Sequence, residues 1–280
     1  MDCKSSKWAK EILALRNESG NWGNFHTLSV PDKKKALTTE QAIRRLKILG
    51  YTKDDEVISS VLKQMESAVK GESKIDGYFE KKHDWPFFEK LMLSAWIRIF
   101  DPGNVYALEV AKNWAEIAEK AFKSGEYNNE EDIKAFTEWK GRKPKSEFET
   151  GFGMFYHAVL LRDVLSEKTE KAFLDYCLNR PEGMGYIYNK ELITPPENFD
   201  SRESSCYIAA IEVLAEYKYA KEKLGFVKDW LLKNQCQSGR WDFGSKSNDK
   251  VYFPLSDSWR NKEDRIMDST VRVQKLLEKI

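Results

Sequence analysis

The chain has 280 residues, enough to bury a full hydrophobic core, and is expected to form a single domain over 1–280. Lys+Arg 46 against Asp+Glu 45 leaves a net charge of +1, so no global field draws it to nucleic acid or to an anionic membrane. The local basic clusters Arg44/Arg45/Lys47 and Arg142/Lys143/Lys145 read as solvated helix faces. Cys3, Cys177, Cys206 and Cys236 show neither metal-type spacing nor the density of a disulfide framework. With no apolar leader and no bilayer-spanning run in the sequence, a reduced, cytoplasmic protein is expected. Trp 9, Tyr 12 and Phe 15 make 13% of the chain aromatic, which fits either helix pairs with large rings in the core or an aromatic-lined cavity.

In chain order, a first helix is expected from about Ser5 to Arg16, followed by a turn with Asn17, Gly20 and Trp22. A loop with His26 leads to Thr38 and Gln41, spaced as a capping box, and that helix stops at Gly50. Thr52 is read as the cap of the next helix, which carries Val57, Val61, Leu62 and Met65 before Gly71. A turn at Asp76-Gly77-Tyr78-Phe79 precedes Asp84-Trp85-Pro86, where proline near the first position opens a helix apolar on most sides. Asp101-Pro102-Gly103 ends it. Further helices are expected over about Val105–Phe122, Glu130–Trp139, Phe152–Leu165 (containing His157) and Glu167–Leu178. Gly183-Met184-Gly185-Tyr186 reads as a second glycine–aromatic turn with Tyr in place of Trp. Asp200-Ser201 caps the next helix, and Phe226 to Gly244 holds another helix followed by Gln235, Gly239 and Trp241. A loop from Pro254 to Arg260 precedes a last helix from about Lys262.

These segments repeat a rhythm of amphipathic helix, glycine–aromatic turn, ordered loop and capped apolar helix. From Trp22 to Ala42 is twenty residues, and from Tyr186 to Cys206 is twenty again. About five such units are expected to place one helix outward and one inward, giving an all-α fold, an α/α toroid of about five to six helical hairpins; an open solenoid is the alternative.

On three features the sequence resembles the terpenoid cyclases and protein prenyltransferases, whose α/α toroids carry glutamine–glycine–tryptophan (QW) turns. Gln235/Gly239/Trp241 fits that turn, Asn17/Gly20/Trp22 fits it with Asn for Gln, and Asp200 to Ala210 looks like a segment opening an inner helix in prenyltransferase β-subunits. The catalytic patterns of that superfamily do not carry over. The D-x-D-D acid is absent, and Asp54-Asp55-Glu56 reads as an acidic first helical turn. The Asp, Cys, His order of a zinc site is absent too, since His157 precedes Cys206. His26, His83, His157 and Cys206 show no ligand spacing, and neither metal nor cofactor is expected.

In a toroid the first turns of the inner helices gather at one end, where Thr39, Arg44, Asp84, Trp85, Glu149, Asp200, Arg202, Glu203, Asp264, Arg265, Asp268 and Arg272 would form a mouth. The candidate catalytic acids are Asp200, Glu203, Asp257 and Asp268, and the candidate ligand-binding residues are Arg202, His157, Trp259, Arg265, Arg272 and Trp85. Asp200–Arg272 or Asp268–Arg202 is the expected pairing across the seam of the last two inner helices. The loop at Asp257 and Trp259 would fold over the mouth. For any single acid, plain helix capping is the competing reading.

The resemblance implies a small-molecule partner: an isoprenoid-like, largely apolar compound bound or converted against aromatic walls. A carbohydrate-active helical toroid using paired carboxylates is a second reading, and a non-catalytic scaffold a third. No nucleic-acid partner and no membrane span are expected.

Overall fold

A computed structural model of the protein describes residues 3–27, 37–75, 84–145, 149–247, 255–256 and 258–280. The described residues form an all-α structure, with isolated bridges only at Met154–Gly185 and Met184–Tyr188. After a short 3-10 turn at Cys3–Ser5 come α1 (Lys7–Ala14), α2 (Thr39–Ile48), α3 (Glu56–Lys70), α4 (Trp85–Phe100), α5 (Val105–Ala121) and α6 (Asn129–Lys140). The second half holds α7 (Phe155–Leu160), α8 (Glu167–Asn179), α9 (Arg202–Leu214), α10 (Ala220–Lys223), α11 (Gly225–Lys233) and α12 (Lys262–Leu277). No described helix is long and apolar enough to cross a membrane.

Local rules set most helix ends. Thr38 and Gln41 form the capping box that starts α2, and Ser201 accepts from the Ser204 N–H to start α9. Proline in the first turn opens α4 after Asp84. The start of α3 differs from expectation: its N-cap is Asp55, not Thr52. Residues 52–55 form a separate turn, in which the Asp55 N–H donates to the Thr52 carbonyl at 3.1 Å and the Asp55 carboxylate accepts the Thr52 N–H at 2.7 Å. The helix expected over 152–165 shrinks to α7. Phe152 and Asp163 both take positive φ, which breaks the helical run on either side. The turn expected at Asp76–Phe79 lies outside the described residues.

Helix α4 is the centre of the packing. It buries Phe88, Leu91, Met92, Leu93, Ala95, Trp96, Ile97 and Phe100, and lies against α3, α5 and α7. Helix α7 is buried along its whole length and touches α9, as an apolar-all-round segment requires. Helix α3, by contrast, buries one stripe (Val57, Ile58, Val61, Met65, Val69) and leaves charge outside. Most of the buried apolar side chains join into one cluster running from Ala9 to Ile280.

The two tryptophan turns are the same structure built twice. Trp22 Nε1 donates to the Ile12 carbonyl and Trp241 Nε1 to that of Leu231, each at 2.7 Å and each ten residues back. Their backbone N–H groups donate to Thr39 Oγ1 and Thr270 Oγ1, both at 3.1 Å. Gly20 and Gly239 sit at φ +82° and +76°, a conformation that costs a residue with Cβ. Both rings are buried in turns, at 2% and 3% exposure.

The polar partner of the turn differs from the sequence reading. Arg16, not Asn17, matches Gln235: Arg16 Nε and Gln235 Nε2 each donate to the carbonyl of the turn glycine at 2.7 Å. The amide thus closes its own turn. At the third turn Arg180 donates to the Gly183 carbonyl at 2.8 Å. Tyr186 there does not play the tryptophan's part; it adopts φ +73° and its ring packs with His26 and Tyr156.

Candidate functional site

A hollow of about 450 Å³ opens between α2, α4, α7 and α9. Its apolar wall includes Ile48, Trp96, Ile99, Phe155, Val159 and Val213, and its charged groups are Arg44, Lys47, Arg162, Glu212 and Glu216. Each helix contributes through residues three or four apart, as with Arg44, Lys47 and Ile48, or Glu212, Val213 and Glu216. These positions lie in the later turns of α2, α4 and α9, so the hollow is not the expected mouth of first turns. Of the residues expected there, Arg44 alone lines it.

Arg44 is set by a buried carboxylate. Glu40, in the first turn of α2, has no exposed surface. Its Oε1 accepts from Trp96 Nε1 at 2.9 Å, Tyr156 OH at 2.8 Å and Arg44 at 3.3 Å, while Oε2 accepts the Thr27 N–H at 2.6 Å. Burial alone would raise its pKa, but Arg44, His26 and the hydrogen bonds from Thr27 and Trp96 bring it below the ordinary carboxylate value. The Arg44 guanidinium lies over Trp96 and Phe155, 5.3 and 5.2 Å from the ring centroids. Lys47 stands over Phe100 at 5.3 Å; burial lowers its pKa, Glu216 offsets part of that, and Arg162 and Lys279 add to it.

On the α9 side the acids are engaged. Glu212 is gripped by Arg272, and Glu216 by Lys279 and Arg162. Arg272 therefore pairs across the seam with Glu212 and not with Asp200. The reason is position: Arg272 also donates to the Ser205 hydroxyl and carbonyl, which places it one helical turn beyond the start of α9.

The other expected site residues do not line this hollow. Asp268 does not pair with Arg202; its Oδ2 accepts from Leu255 N, Ser256 N, Ser256 Oγ and Trp259 Nε1 at 2.7–3.1 Å. Trp259 is thereby tied down. Glu203 accepts from Lys190 at 2.7 Å and Tyr188 OH at 3.1 Å. Arg265 makes a two-pronged pair with Asp242 at 2.7 and 2.8 Å. Asp200 is exposed, its carboxylate lying so close to Gly244 that a Cβ there would fall 1.2 Å from Oδ1, and Arg202 is exposed as well. Trp85 is buried edge-on to His26. Asp257 lies outside the described residues, as does His83.

His157 is a core residue, fully buried against Trp114 at 4.6 Å and Phe152 at 5.5 Å. Burial, with Arg180 nearby, pushes its pKa down to about 3, so the ring is neutral. Among the described residues no group of three His, Cys, Asp or Glu side chains is arranged to hold a metal ion. The basic cluster Arg142/Lys143/Lys145 is no open patch either, since Arg142 pairs with Asp84 and Glu149.

Sequence reasoning missed Lys47, Trp96, Phe155, Arg162, Glu212 and Glu216. A signal existed in the charged residues recurring late in helices whose other faces are apolar. No family model, curated protein or solved structure matches the chain.

Proposed function

We propose that the protein binds an isoprenoid-like, largely apolar small molecule in the hollow between α2, α4, α7 and α9, within an α/α toroid of the terpenoid-cyclase and prenyltransferase kind. The hollow itself carries this reading: about 450 Å³, walled by branched aliphatic side chains with Trp96 and Phe155, and provided with a few charged groups. That size and lining suit a small organic ligand. A closed ring is supported by Trp8 Nε1, in the first helix, donating to the Ser256 carbonyl at 2.9 Å. No catalytic step is assigned, because the D-x-D-D acid of the cyclases is absent from the sequence.

The test is titration with farnesol, a neutral isoprenoid alcohol, followed by thermal shift and tryptophan fluorescence. Saturable stabilisation is expected, together with a fluorescence change that is lost in Trp96→Phe. No stabilisation by farnesol, with fluorescence unchanged, would overturn the reading.

A further inference from the structure

We infer that Arg44 is the anion anchor of this hollow, oriented by the buried Glu40 carboxylate, and that the ligand it selects carries a single carboxylate on an apolar body. The inference rests on the hollow being a ligand site. It goes further in naming the head group and the residue that reads it.

Glu40 and Arg44 are four residues apart on α2, with Glu40 closed off from solvent and the Arg44 side chain 11% exposed. A carboxylate is carried that deep only when donors surround it. Glu40 has four: Trp96, Tyr156, Arg44 and the Thr27 N–H. Trp96 therefore serves twice, fixing Glu40 with its N–H and carrying Arg44 on its ring face. Phe155, 5.7 Å from Trp96, supports the same guanidinium. A guanidinium has five N–H donors. Among the described residues Glu40 is the one side chain that accepts from Arg44, so its other donors remain for a ligand at a wall already built of two rings.

The charges around the hollow select the head group. Glu40 neutralises one unit of Arg44, and Glu212 and Glu216 stand on the α9 side of the same hollow. Both glutamates are already held by Arg272, Lys279 and Arg162, and Arg162 is shared between Glu216 and Asp163. A diphosphate, with several negative charges, would therefore find no second arginine without an acid partner in the wall. One carboxylate asks for a single two-pronged guanidinium contact, which Arg44 offers, with Lys47 one turn further along the wall. A neutral head group would leave those donors facing apolar substance without an acceptor.

Calorimetric titration with farnesoic acid, farnesol and farnesyl diphosphate tests this. The expected order has the acid binding about tenfold tighter than the alcohol, a charge-assisted contact being worth that much, with the diphosphate weaker than the acid. Arg44→Gln should abolish the acid's advantage over the alcohol; Arg44→Lys should keep part of it. Glu40→Gln should weaken acid binding, read only in protein whose circular dichroism and melting show the native fold. The Arg44 variants decide the matter if that one does not fold. Acid and alcohol binding equally to the native protein, an acid preference that survives in Arg44→Gln, or a preference for diphosphate would each overturn the anchor. Failure of acid and alcohol alike would instead remove the hollow as an isoprenoid site, and the anchor with it.

Discussion

Arg272 of α12 and Glu212 of α9 are joined by two hydrogen bonds, Nε to Oε1 and NH2 to Oε2, each 2.9 Å long. The arginine side chain is 1% exposed and the glutamate 31%, so the positive charge depends on its partner more than the negative one does. Phe243 lies under the guanidinium at 5.8 Å. Glu212→Gln is expected to cost about 2 kcal/mol, less than a fully buried pair would, because solvent screens part of the glutamate. Arg272→Met should cost less, since it leaves behind a carboxylate that water can reach. Urea unfolding of both variants gives the comparison; the reverse order would mean that the arginine's packing outweighs its charge.

The twin tryptophans carry a second expectation. Trp22→Ala and Trp241→Ala should each destabilise by roughly 3 kcal/mol or more, as for other buried aromatics. Phe at either position keeps one six-membered ring but drops the rest of the indole and the N–H to the carbonyl of Ile12 or Leu231, a loss of more than about 1 kcal/mol but less than for alanine. Thermal melts of the four variants should fall into two matched pairs. Unequal pairs would show that the turns, though alike in geometry, are unequally stressed.

At Asp268, four donors converge on one oxygen. Asp268→Ala strands the Trp259 N–H and two backbone N–H groups in buried surroundings, for a cost of roughly 3 kcal/mol. Exposed Asp200 and Arg202 should behave differently, Arg202→Ala changing stability by less than about 0.5 kcal/mol. Hydrogen exchange should show the residues around 255–259 opening in Asp268→Ala and not in Arg202→Ala. Protection unchanged at 255–256 would separate the loop from the carboxylate.

Two buried groups give opposite pH signatures. Asp132, with no exposed surface, has its pKa pushed up by burial from 3.8 to about 6, despite hydrogen bonds from the Gly151 N–H and Tyr127 OH. The folded state holds that proton more tightly, so the contribution is complete below about pH 4 and is lost as pH rises through 6, a change of about 3 kcal/mol. Asp132→Asn keeps the acceptor without the charge. Its stability relative to the parent should therefore climb between pH 4 and 6.5.

His157 works the other way. Its pKa falls from 6.5 to about 3, so the unfolded chain takes up the proton first and stability is lost as pH falls through that window. His157→Leu should thus gain on the parent protein as the pH drops from 6.5 towards 4. Unfolding free energies across that range, measured for both variants, should give difference curves of opposite slope, and parallel curves would refute both assignments.

Much of the helix map was legible because its determinants are local. A capping box such as Thr38/Gln41, a proline beside Asp84, or a glycine needing positive φ acts within four residues, and sequence order shows it directly. Apolar periodicity likewise marked α4 as buried and α3 as one-sided. The two tryptophan turns were readable for the same reason, though one residue off at the polar partner: whether Arg16 or Asn17 reaches the Gly20 carbonyl depends on side-chain direction at a helix end.

Only the tertiary structure decided where the charges meet. The Glu40–Tyr156 contact spans 116 residues and Glu212–Arg272 spans 60, and nothing in either neighbourhood encodes the rotation of one helix about its axis relative to another. That rotation chose Glu212 over Asp200 for the seam and gave Asp268 to a loop. It also turned the later turns of α2, α4 and α9 towards a common hollow, because long-range packing of large rings, Trp96 and Phe155 among them, sets the angle at which helices can close together.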